Sequence, residues 1–121
     1  MLSTRVVFFR DRNECPVLDW LDTLPKKVQA KARVRIERLA EMGHELRRPE
    51  ADYLRDGIYE LRWRVQSSNY RILYFFHGRG VVVLSNGLTK KGQVPSQEID
   101  LAIHRKAKYE NDPVGHTYTE E

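Results

Sequence analysis

The sequence predicts an α+β domain. A strand and an αα-hairpin come first, then an antiparallel meander and a C-terminal helix, with the helices packed on a twisted antiparallel sheet. Three observations carry this. Residues 26–42 place apolar side chains at helical spacing. Residues 58–65 change to strict alternation. Two β-branched and aromatic runs, 70–76 and 81–84, follow between turn residues.

In chain order, Val6, Val7, Phe8 and Phe9 form the first strand. After a polar break, Pro16 opens a short helix, where a proline in the first turn is tolerated. Pro25 ends it. Val28, Ala32, Ile36 and Leu39 then make one apolar stripe, and Gly43 stops this second helix. Residues 44–52, with Pro49, read as a polar linker. Next, Ile58, Glu60, Arg62 and Arg64 alternate with Tyr59, Leu61, Trp63 and Val65. Residues 67–69 and 77–80 read as turns between the meander strands. Residues 87–94 read as a loop, and Pro95 opens a last helix that fades near Tyr109. Residues 1–109 are expected to form one domain and 110–121 an acidic, flexible tail.

Composition narrows the function classes. The chain has 121 residues, 40% hydrophobic and 31% charged, which fits one globular core and excludes a disordered chain. Its longest strongly apolar runs fall far short of a membrane helix, and the N-terminus lacks an apolar h-region. The expected compartment is the cytoplasm, with no membrane partner. Cys15 is the one cysteine, so no internal disulfide forms. The four histidines, His44, His77, His104 and His116, are dispersed and suggest no metal site, and no cofactor motif is present.

Charge is more telling. Residues 110–121 hold four acids and no lysine or arginine, leaving 21 bases against 13 acids over 1–109, a net +8. Between Arg62 and Lys91 the chain carries Arg62, Arg64, Arg71, Arg79, Lys90 and Lys91, and no Asp or Glu. A strand face that basic suits a phosphate backbone. Tyr59 alternates with these cations, so core packing competes with stacking on an unpaired base. Arginine stabilises a charged phosphorane but is no base at neutral pH; a lysine in a cationic cluster can be one.

The segments Leu54–Arg62, Asn69–Tyr74 and Leu84–Lys91, then Gln93, Pro95 and Ala102, together resemble the RelE/ParE superfamily of type II toxins, and within it the phage-derived HigB-like branch. The resemblance implies a RelE-like fold and a metal-independent, ribosome-dependent mRNA endoribonuclease without cofactors. It implies a cognate antitoxin of helix-turn-helix, HigA-like type. It also implies that operator DNA is met only through the toxin–antitoxin complex. By position it makes Arg62, Arg71, Lys90 and Lys91 catalytic. Arg71 would stabilise the transition-state phosphate, and Lys90 or Lys91 would position it or transfer a proton. Glu60 would orient Arg62. Arg64, Tyr59, His104 and Tyr109 join Glu60 as RNA-binding candidates. Asn86 and Leu88 stand where neighbouring members often carry His and Phe, and asparagine cannot shuttle a proton. A ParE-like gyrase inhibitor and a silent, antitoxin-binding member are the competing readings.

Overall fold

The computed structural model describes residues 4–89 and 92–120. The elements are β1 (Arg5–Phe8), α1 (Pro16–Asp22), α2 (Lys26–Met42), β2 (Ala51–Arg55), β3 (Ile58–Val65), β4 (Ser68–His77), β5 (Val81–Thr89) and α3 (Ser96–Asn111). They form an α+β fold with one five-stranded sheet in the order β1-β5-β4-β3-β2 and three α-helices, consistent with a RelE-like architecture.

Strand alternation gives the sheet two faces. Leu61, Trp63, Ile72, Tyr74, Val82 and Leu84 face α2, whose Val28, Ala32 and Leu39 are buried against them. Ile58, Leu73, Phe75 and Val83 face the other way and meet Ile99, Ala102 and Tyr109 of α3. Each large side chain buried in these layers contributes roughly 1.5–3 kcal/mol. Continuing along this second face, β3 and β4 place Glu60, Arg62 and Arg71 beside α3 instead of under it, and these residues border an open cleft.

The structure departs from the sequence expectation at four places. The sheet is mixed, because β1 runs parallel to β5 in the register Arg5↔Val81 to Phe8↔Leu84. A strand separated from its neighbour by long intervening chain is free to return in parallel. Second, β2 begins inside the segment read as a linker and runs on to Arg55, where no strand was expected. It pairs antiparallel to β3 through Asp56 (φ 52°) and Gly57 (φ 81°), the two left-handed positions of a tight hairpin turn. Third, β5 extends to Thr89, past the residues read as the start of a loop. Its register shifts by one at Ser85, so that Leu73 faces Asn86 while Tyr74 faces Leu84. Gly87 lies in this extension because the Trp20 ring of α1 rests on its backbone; a Cβ there would sit 2.1 Å from Trp20 Cε3.

The fourth departure is the C-terminal segment, read as a flexible tail. Helix α3 runs to Asn111, and the following residues cover β1. Arg10 N donates to His116 O at 2.8 Å, Tyr118 N donates to Phe8 O at 2.9 Å, and the His116 ring stacks on Phe9. An edge strand with unpaired backbone groups provides such a seat. Among the described residues, no helix is long and apolar enough to cross a membrane.

Candidate active site

Arg62 and Arg71 are direct cross-strand partners of β3 and β4, on one face of the sheet. Two like charges facing each other across a ladder destabilise it unless something neutralises them. Glu60, two residues before Arg62, is the nearest acid. Its Oε1 lies 3.4 Å from Arg71 Nε, with side chains 6% and 9% exposed respectively. This is a buried ion pair without hydrogen-bond geometry, and among the described residues Glu60 Oε1 has no hydrogen-bond partner. Burial pushes the Glu60 carboxyl above its ordinary value, against the pull of Arg71 and then Arg62. Glu60 therefore pairs with Arg71; no ion pair joins it to Arg62 among the described residues.

The cleft above these three residues measures about 620 Å³. Its opposite wall comes from β2 and the segment before it, with Arg48, Asp52 and Arg55. Arg48 is held by Asp52 at 2.8 Å, and Arg55 by Asp56 and by Asp100 of α3 at 2.7 Å. These pairs leave Arg62 as a half-buried cation in the cleft with no ion-pair partner among the described residues. A positive, concave, partly desolvated surface with one uncommitted guanidinium holds an anion well.

The remaining sequence candidates fall in different places. Arg64 is exposed at the hairpin end, its Nε donating to Gln66 O at 2.9 Å. Tyr59 projects from the opposite face of β3 and packs with Tyr53, Tyr74 and Phe76. Tyr109 is 4% exposed, packs edge-on against Phe75, and bonds Thr117 through its hydroxyl. Neither tyrosine lines the cleft. His104 is exposed on α3 and lines it no more than they do. Lys90 and Lys91 lie outside the described residues. Asn86 is buried beside the cleft, donating from Nδ2 to Glu98 Oε1 at 3.0 Å and to Glu98 O.

Sequence reasoning missed Arg48, Asp52 and Arg55, because it read 44–52 as a linker and drew no strand over 51–55. The Asp56-Gly57 pair was the available signal: that dipeptide beside an apolar-alternating run marks a hairpin. Among the described residues, no group of three His, Cys, Asp or Glu is placed to hold a metal ion.

Residues 19–107 match the family model described as "Phage derived protein Gp49-like (DUF891)". The chain belongs to the Gp49-like family. Gp49-like proteins are toxins of toxin–antitoxin pairs within the RelE/HigB-like superfamily, so an antitoxin is the partner that membership brings. The Gp49-like match runs from α1 into α3 and includes every cleft residue named above, while β1 and the C-terminal segment lie outside it. No curated protein gave a significant match.

Proposed function

We propose that this Gp49-like toxin is a HigB-type, ribosome-dependent mRNA endoribonuclease that works without a metal and stops translation in the cytoplasm. The observation that carries the reading is the facing pair Arg62 and Arg71 with the buried Glu60 beside them in an open basic cleft.

The chemistry follows from those groups. An RNA 2′-oxygen attacks the adjacent phosphorus, its proton passes to the Glu60 carboxylate, and the bond to the 5′-oxygen breaks. The products are a 2′,3′-cyclic phosphate and a 5′-hydroxyl. A carboxyl raised by burial is a stronger base once ionised than an ordinary one, which suits it to this proton. Arg71, locked against Glu60, and Arg62, facing it, meet the charge that develops on the phosphorane oxygens. Lys90 or Lys91, directly after β5 in sequence, protonates the leaving oxygen. Arg64 adds backbone affinity at the rim.

The partner in this reading is a HigA-like helix-turn-helix antitoxin that covers the cleft cations, and operator DNA is engaged only by the complex. The test is induction in cells of the wild type and of Arg62→Ala, followed by mapping of mRNA ends. Cuts confined to translated regions and lost in the variant support the assignment. Equal cutting by Arg62→Ala removes Arg62 from the site. Growth arrest without any cuts moves the target to gyrase.

A further inference from the structure

A second, smaller pocket of about 170 Å³ adjoins the cleft and has no role in the chemistry above. It opens at the free edge of β3. Strand β2 pairs with β3 only as far as Leu61, Glu50 O accepts the Arg62 N–H, and the rest of β3 has no strand on that side. Arg35 of α2, Trp63 and Arg64 of β3, and Asn69 and Tyr70 of β4 line it. Arg62 and Arg71 border both this pocket and the cleft.

The lining is one-sided in its hydrogen bonding. No Asp or Glu takes part in it. Trp63 is 4% exposed, and its Nε1–H is buried without an acceptor among the described residues. Arg35 is anchored through Nη1 to Glu50 at 2.9 Å, yet its Nε is also buried and finds no partner among the described residues. Indole and guanidinium groups only donate. Two buried donors left unmatched in one lining are costly, and both are relieved by a ligand that only accepts. The indole is held in place by stacking on Tyr70, with centroids 5.8 Å apart, and by Trp20 edge-on at 6.1 Å.

We propose that this pocket binds a backbone phosphate of the same RNA strand, next to the phosphate that is cut. Trp63, Arg35 and Arg64 donate to it, and Arg62 spans the two phosphates. The proposal rests on the reading of the neighbouring cleft as an RNA-cleaving site. It adds a subsite that fixes the strand in register and touches no reacting atom.

The experiment follows the two tryptophan indole N–H resonances of ¹⁵N-labelled full-length protein while a short single-stranded RNA is added without ribosomes. The Trp63 signal is expected to shift and the Trp20 signal to stay nearly still. In parallel, RNA affinity is measured against salt for the wild type, Arg64→Ala and Trp63→Phe. Losing one phosphate contact lowers the salt slope by about 0.7 for a single strand, with an affinity loss of several-fold. Arg64 makes only a local bond to Gln66 O, so its variant keeps the fold if Trp63→Phe does not. A still Trp63 resonance at saturating RNA, or an unchanged slope in Arg64→Ala, overturns the subsite. Inorganic phosphate shifting Trp63 at the RNA's own concentration overturns the strand assignment in favour of a general anion pocket. Arg62→Ala cleaving normally overturns the cleft reading instead, and the resonance test separates that failure from this one.

Discussion

Arg71→Ala should destabilise the protein, so lost activity in it does not report on catalysis alone. The wild-type pair joins side chains 9% and 6% exposed at 3.4 Å. Removing Arg71 leaves the Glu60 carboxylate buried with no countercharge, and breaking such a pair commonly costs about 3–5 kcal/mol. The ionisation part has a ceiling. Keeping Glu60 protonated at pH 7 costs about 3.4 kcal/mol relative to an unfolded carboxyl of 4.5, at 1.36 kcal/mol per pH step. A carboxyl whose native pKa lies above its unfolded one stabilises the fold only while protonated, and that support is lost as pH rises through the native value. In Arg71→Ala the native value climbs further, so the deficit against wild type is large at pH 7 and small near pH 4.5. Urea unfolding at both pH values measures it. The expected deficit is about 3 kcal/mol at pH 7, a large share of the 5–15 kcal/mol typical of a domain. Adding Glu60→Leu to the variant should restore most of it. A variant as stable as wild type at pH 7, or a deficit identical at both pH values, refutes the buried-charge reasoning.

Three further outcomes are expected. Glu60→Gln should lower cleavage by about 10²–10⁴ and abolish an acid limb whose midpoint lies above 4.5 in the wild type; a limb that persists in the variant assigns the base elsewhere. Gly87→Ala should cost about 1–3 kcal/mol through its 2.1 Å approach to the Trp20 ring, while Gly80→Ala, with open space around it, should be neutral; equal melting points for the two would contradict the packing. Glu50 accepts hydrogen bonds from Arg38 Nε at 2.9 Å, Arg38 Nη2 at 3.0 Å and Arg35 Nη1 at 2.9 Å, which hold its carboxyl below the usual range, Arg38 foremost. Its support is present above pH 4.5 and fades as pH falls through the lowered native value. Glu50→Gln should therefore lower the melting temperature at pH 7 and match wild type in strong acid, which thermal melts across pH will check.

Local signals made most of the fold legible. The Val28–Leu39 stripe gave the span of α2, with Pro25 and Gly43 as its stops, and the Tyr59–Val65 alternation sorted β3 into a core face and a charged face. The direction of β1 was not legible, since pairing with β5 depends on contacts about 76 residues apart in sequence, which no local period records. Strand β2 hid behind Pro49, although a proline just before an edge strand costs no ladder bond. At the site, the acid-free tract pointed to Arg62 and Arg71. The burial of Glu60 was illegible, because alternation assigns a side but not the depth at which a side chain sits on it. Tyr109 entered as a candidate through the family resemblance alone, and no local period records that Phe75 and Thr117 pack against it. The C-terminal segment, polar and acidic, gave no hint of the edge it covers.

Ribosome-dependent cleavage through Arg62 is tested by primer extension on a defined mRNA in a purified translation system, run with and without ribosomes, for wild type and Arg62→Ala. Arg62 is the cleanest probe, because it has no ion pair among the described residues to lose. Codon-positioned cuts are expected that require ribosomes and disappear in the variant. Full-length mRNA from a wild-type protein that still arrests growth would contradict ribosome-dependent cleavage.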